Sequence, residues 1–250
     1  MIVIALALKL NQAAKRREGD SVLGENTVYS FLSLLTFRLD VGHGTGESLL
    51  FMLTDPAVPR PFRIVGITSL PMHYQRTENR VATLQDSRTR VDLYLGDAVF
   101  RPSSAEHPLA PQSNTLFDCV LALDCAYHFD TRQVFLSQAL AKLVAGGKIA
   151  LADMCFEPRY QWLVWLTSKL GIVPKENIVT IDQYALAMKK AGFIDIEIED
   201  FTSAVLPKYL LFLRGVGPQW WLFSMTYSWY LSAMGAKFVL ASGSRPGVGI

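Results

Sequence analysis

The stretch Leu39-Asp40-Val41-Gly42-His43-Gly44-Thr45-Gly46-Glu47 decides how the rest of the chain is read. A strand-like run ends in a tight turn with glycine at alternate positions. Ser48-Leu49-Leu50-Phe51-Met52-Leu53 then continues as a helix-like run. Glycine accepts positive φ and lets a ligand come close to the main chain. Amides at a helix start can face a polar or anionic group. In an open parallel sheet, ligands bind where strand ends feed turns of this kind.

Outward from that loop, short β-rich runs alternate with stretches of helical length. The runs are 37–41, 63–67, 91–95, 117–123, 148–152, 194–198 and 237–241. Between them, Phe135, Leu136, Ala139, Leu140 and Leu143 fall on one helical face. Asp130 reads as the N-cap of that helix. A second helix over 181–191 reads as capped by Asp182 and stopped by Gly192. Strand alternating with helix predicts an α/β fold: a doubly wound, mostly parallel, seven-stranded Rossmann-like sheet with helices on both faces. The proline-bearing stretch 101–115 predicts a loop. The chain divides into an N-terminal segment (1–36), a ligand-binding core (37–200) and an aromatic-rich segment with the last strand (201–250).

Composition sets further bounds. The chain has 250 residues, enough for one large domain. It is 50% hydrophobic and 18% charged, which excludes a disordered polymer. Its 24 basic and 22 acidic residues leave a net charge of +2. No broad field results, and nucleic acid is not an expected partner. Cys119, Cys125 and Cys155 form no C-x-x-C pair. They read as reduced core thiols in a cytoplasmic protein, with no metal site. Met1-Ile-Val-Ile-Ala-Leu-Ala-Leu8 is apolar, but its basic residues follow it, at Lys9 and Lys15-Arg16-Arg17. It reads as an N-terminal helix or a weak surface anchor and not as a cleaved signal. Mean hydropathy is +0.23, and the run from Val216 to Ala236 carries no charge. Trp220, Trp221, Phe223, Tyr227, Trp229 and Tyr230 suit a lid over an apolar pocket, a peripheral membrane surface, or core and homo-oligomer packing. The interspersed Gly, Pro, Ser and Thr weaken a membrane span.

The ligand can be read from the loop. A dinucleotide fingerprint is G-x-G-x-x-G. Here the spacing is G-x-G-x-G, and Glu47 would set a carboxylate against a pyrophosphate. Asp40 suits a cationic amine. A ligand with an ammonium group and no phosphate fits, and S-adenosylmethionine is such a ligand.

On these residues the chain resembles class I S-adenosylmethionine-dependent methyltransferases over roughly 35–200. Gly66-Ile67-Thr68 is similar to the sterol, tocopherol and cyclopropane-fatty-acid branch. The resemblance implies that Asp40, Gly42, Gly44 and Gly46 hold the methionine portion of the cofactor. It places Thr68 near the ribose, Asp97 on the adenine amino group, and Ala98 against the ring. Thr68 departs from the Asp or Glu of most members, and His73 from the branch's Gln. Asp97 also reads as a turn residue. Asp124, Tyr127 and His128 follow the fourth strand and would line the acceptor side, with His128 as base. Tyr127 stands where cyclopropane synthases carry Glu, which argues against cyclopropanation. The implied activity is methyl transfer to a small hydrophobic or aromatic acceptor. The alternative is a catalytically degenerate interaction subunit, supported by Thr68 and by the short stretch ahead of the first strand. His107 and the pair Trp162 and Trp165 read as structural.

Overall fold

A computed structural model of the chain describes residues 36–247 apart from 57, 85–87 and 103–105. The helix or anchor read at the amino end lies outside these residues. The strands are β1 (Phe37–Val41), β2 (Arg63–Thr68), β3 (Arg90–Leu95), β4 (Phe117–Leu123), β5 (Leu143–Cys155), β6 (Ile194–Asp200) and β7 (Lys237–Ser244). They form one sheet in the order β3-β2-β1-β4-β5-β7-β6. β7 runs antiparallel to β5 and β6, and the other pairings are parallel. Every run read from the sequence is a strand.

Helices α1 (Glu47–Thr54), α2 (Pro71–Thr83) and α3 (Arg132–Lys142) connect β1 to β2, β2 to β3 and β4 to β5. α4 (Gln161–Lys169) and α5 (Ile181–Ala191) lie between β5 and β6. α6 (Thr202–Val216) and α7 (Pro218–Ala233) form a hairpin between β6 and β7. Each face of the sheet carries its own apolar layer. Leu39, Val120, Phe135 and Leu136 belong to one, and Leu49, Ile64, Leu121 and Leu163 to the other. Burial on both faces explains the apolar stretches Ile64–Ile67 of β2 and Cys119–Leu123 of β4, while β1 buries Arg38 and Asp40 among its apolar residues.

Two caps differ from the sequence reading. Thr180, not Asp182, caps α5: its hydroxyl accepts from the Gln183 amide, and the Gln183 side chain accepts from the Thr180 amide. This reciprocal pair needs the extended backbone of the residue before the helix. Asp182 sits in the first turn, where its charge suits the helix dipole. Thr131, not Asp130, caps α3 by accepting from the Val134 amide. Asp130 instead accepts from Arg101 at 2.7 Å.

Parallel pairing brings the carboxyl ends of β1, β2, β3, β4 and β5 to one edge. The hairpin α6–α7 belongs to that edge too. It leaves from the end of β6 and returns to Lys237, which pairs with Cys155 at the end of β5. Tyr230 of α7 docks on α4 through a 2.9 Å contact with the Thr167 hydroxyl. Among the described residues, no helix is long and apolar enough to cross a membrane.

Under this edge lies a buried ion pair. Arg132 Nε is 2.9 Å from Asp153 Oδ2, and both side chains are out of solvent. The guanidinium also donates to the Met154 carbonyl at 2.8 Å and lies 4.4 Å over the Tyr184 ring. Asp153 lies within β5, which continues to Cys155, past the run 148–152 read from the sequence. Removing one partner of such a pair strands the other charge in the core. Asp153→Asn is expected to lower unfolding free energy by about 3–5 kcal/mol in urea titration. A loss under about 1 kcal/mol would show that Arg132 finds other compensation.

Candidate active site

The glycine loop turns from β1 into α1 over residues 42–46. Gly42 and Gly46 have φ of 74° and 88°, the left-handed region that glycine adopts without strain. Each is also pressed by a neighbour. A Cβ on Gly42 would stand 2.6 Å from Cys125 Sγ, and one on Gly46 would stand 2.8 Å from the Thr77 side chain. Gly44 differs, since a Cβ there would meet nothing within 4 Å. The middle of the loop is therefore open, and a ligand can approach its backbone.

Supports for the loop come from several elements. Thr77 of α2 donates to the Gly44 carbonyl at 3.3 Å. Arg80 donates to the Thr45 carbonyl at 2.8 Å and pairs with Glu47 at 2.6 Å. Glu47 thus faces solvent with its charge matched by a guanidinium. His43 is buried beneath the loop, against Gly66 of β2, where an added Cβ would lie 2.9 Å from its ring. Gly66 is the space that His43 fills. Asp40 is fully buried, accepts a short hydrogen bond from Ser48, and leaves its Oδ1 without a protein partner.

The next two strand ends reach the same edge. Thr68 is buried at the end of β2, and its carbonyl accepts from Gly96 at 2.9 Å. Asp97 is exposed and accepts from the Val99 amide at 3.2 Å, so it does shape a turn. Ala98 points its side chain into the core, which leaves only its main chain for contact at the edge. His107 has a structural place: its Nδ1 accepts from Leu109 and its Nε2 donates to the Asp97 carbonyl at 2.8 Å.

The turn after β4 carries Asp124, Tyr127 and His128, so the structure brings these three together. Asp124 adopts φ of 56°. Burial and neighbouring Asp153 raise its carboxyl to about 6, against the pull of a Tyr127 hydrogen bond. The Tyr127 ring lies 4.0 Å from that of His128, centroid to centroid. His128 is exposed, and its Nδ1 is 2.6 Å from the Ile172 carbonyl. A carbonyl only accepts, so Nδ1 carries the proton and the neutral ring keeps a lone pair on Nε2. Tyr227 of α7 interacts electrostatically with Asp124. Burial, then Tyr209 and Asp124, push its hydroxyl up to about 12, so it stays protonated.

Sequence reading missed Thr77, Cys125, Arg132 and Asn177 as neighbours of these residues. Cys125 donates to the Val41 carbonyl at 3.3 Å and ties the β4 turn to the glycine loop. Among the described residues, no cluster of His, Cys, Asp or Glu could hold a metal ion.

Sheet order, open glycine loop and β4 turn together define the class: this is the class I methyltransferase fold. Comparison with known proteins agrees. No family model matches the chain. It is 29% identical over 266 residues to erythromycin 3''-O-methyltransferase of Saccharopolyspora erythraea, covering 97% of this chain and 78% of the relative. It is 27% identical over 173 residues to 27-O-demethylrifamycin SV methyltransferase of Amycolatopsis mediterranei, covering 68% of this chain and 58% of that one. Among solved structures, phosphoethanolamine N-methyltransferase 2 of Haemonchus contortus with S-adenosyl-L-methionine superposes with a TM-score of 0.62 at 18% identity. That match covers 89% of this chain and 53% of the other, so the chain spans about half of it. The cyclase SpnF superposes with a TM-score of 0.62 at 19% identity, covering 88% and 80%.

Two buried groups under the loop titrate in opposite senses. Burial raises Asp40 from 3.8 to about 7, against the pull of Ser48. Burial lowers His43 from 6.5 to about 4. Between about 4 and 7 the folded state holds the Asp40 proton more tightly, so this group makes stability fall as pH rises. Between about 4 and 6.5 the unfolded state binds the His43 proton more tightly, so this group makes stability rise with pH. The two slopes oppose. Asp40→Asn is expected to unmask the His43 slope and to exceed the parent at about pH 8 by roughly 2–4 kcal/mol in urea titration. Equal stabilities there would show that Asp40 titrates like an exposed carboxyl.

Proposed function

We propose that this chain uses S-adenosylmethionine to methylate a hydroxyl oxygen of a small, largely apolar acceptor of the macrolide kind. The observation that carries this reading is His128. It stands at the carboxyl end of β4 with Nδ1 committed to a carbonyl and Nε2 left as acceptor. An alcohol is a poor nucleophile until its proton is taken, so oxygen transfer needs such a group. The two curated relatives are named for O-methylation of erythromycin and for methylation of 27-O-demethylrifamycin SV.

The cofactor fits the residues present. Open space at Gly44 admits a ligand against the loop backbone. The unpartnered Asp40 oxygen beneath it is a carboxylate suited to an ammonium group. Gly42, Gly44 and Gly46 would cradle the amino-acid part, Thr68 would lie by the ribose, and Asp97 with the Ala98 main chain by the adenine. When bound, S-adenosylmethionine supplies an activated methyl group. The chain's own work is to orient the acceptor, exclude water and hold one proton. Tyr127, Asp124 and Tyr227 would form the wall facing the acceptor. His128 Nε2 would take the hydroxyl proton while Nδ1–H stays on Ile172.

His128→Ala is expected to lower kcat about 10²–10⁴-fold on a hydroxylated macrolide, with the cofactor Kd unchanged. Unchanged turnover on the best acceptor would remove His128 as the base. Thr68 favours a second reading, a chain that keeps the fold for interaction alone, because a hydroxyl grips a ribose less firmly than a carboxylate. Failure to bind cofactor would select that reading.

A further inference from the structure

The geometry points to Asn177 as a positioning residue that clasps the β4 turn and so fixes which nitrogen of His128 is free. Asn177 closes the short 3₁₀ turn Lys175–Asn177 between α4 and α5 and is almost fully buried. Its side chain makes three hydrogen bonds, all to main-chain groups of one neighbouring segment. Nδ2 donates to the Tyr127 carbonyl at 3.0 Å and to the Phe129 carbonyl at 2.6 Å. Oδ1 accepts from the Arg132 amide at 2.9 Å. These contacts bracket His128 on both sides.

The opposite side of the turn is held by Asp153, whose Oδ1 accepts from the Tyr127 amide at 2.9 Å. The Tyr127 peptide groups are thus pinned at N–H by a carboxylate and at C=O by an amide. An asparagine is suited to this task, since it offers two donors and an acceptor on one planar group. Alanine offers none, and aspartate offers only acceptors to two carbonyl oxygens. His128 itself touches the same region of the chain. Its Nδ1 donates to Ile172, five residues before Asn177 in sequence. One buried side chain therefore sets the distance between the turn that carries the imidazole and the loop whose carbonyl accepts its hydrogen bond. If that distance opens, Nδ1–H loses its carbonyl and the neutral ring can place its proton on Nε2. The acceptor would then meet a donor where it needs a base.

This inference rests on the reading of His128 as base for its catalytic consequence, but not for its structural one. The two are separated by long-range ¹H–¹⁵N spectra of the imidazole, recorded without acceptor on the neutral ring. The parent is expected to show the Nδ1–H tautomer. Asn177→Asp, nearly isosteric, is expected to show a mixture or the Nε2–H form. It should also lower kcat about 10–100-fold while the cofactor Kd stays within about twofold. Asn177→Ser, which keeps one donor, is expected to fall between, and it serves if the aspartate variant does not fold. A parent-like tautomer in both folded variants would overturn the inference, whatever their turnover. A changed tautomer with parent-like kcat would uphold the clasp and instead count against His128 as the base.

Discussion

Burial of the Arg132–Asp153 pair is the constraint on which the rest of the site depends. Both charges lie in the core, and neither has water to fall back on. Beyond the pair itself, Asp153 accepts from the Tyr127 and Met154 amides and interacts with the Tyr184 hydroxyl, and Arg132 donates to the Met154 carbonyl. Such a pair need not stabilise the fold against an apolar replacement. What it does is fix geometry. The end of β5, the start of α3 and the turn after β4 are bound to one another by directional contacts that tolerate little displacement. The β4 turn in turn touches the glycine loop, where Cys125 sits in the space that Gly42 leaves. The cofactor side and the acceptor side of the edge are therefore parts of one packed unit.

Much of this was legible in the sequence, and the reason is periodicity. Strands buried on both faces are rich in apolar residues, and β2 and β4 announce themselves in that way, whereas β1, with Arg38 and Asp40, is marked by the glycine turn that follows it. The crossover pattern then dictates a parallel sheet, and the sheet dictates the edge where loops gather. The glycine loop was legible because its conformation demands a particular residue type. Its supports were not. Thr77 lies on α2, and Asn177 reaches back to the β4 turn from beyond α4. Nothing local marks either as more than a polar residue in a short element. The caps at Thr131 and Thr180 were misread for a related reason. An acidic residue beside a helix start satisfies the same statistical preference whether it caps or merely faces the dipole. His43, a loop residue of no marked type, earns its place only through Gly66 on the adjacent strand.

Fold alone does not choose the reaction. The same architecture is shared at similar superposition by an N-methyltransferase and by a cyclase. The distinction has to come from the edge, and two of its features matter. One is an imidazole with a defined tautomer at the end of β4. The other is the hairpin α6–α7, which brings Tyr227 toward Asp124 and otherwise exposes Trp220, Trp221 and Trp229. On the proposed reading of His128 as base, an apolar, aromatic wall beside it would suit an acceptor with much carbon and one reactive hydroxyl. Such an acceptor gains most of its binding free energy from surface burial and little from charge.

Titration of the purified chain with S-adenosylmethionine by calorimetry, with NAD as control, tests the central claim most directly. Saturable one-to-one binding of S-adenosylmethionine with no heat from NAD is the expected result. Binding of NAD, or of neither, would contradict the assignment of the glycine loop as an S-adenosylmethionine site.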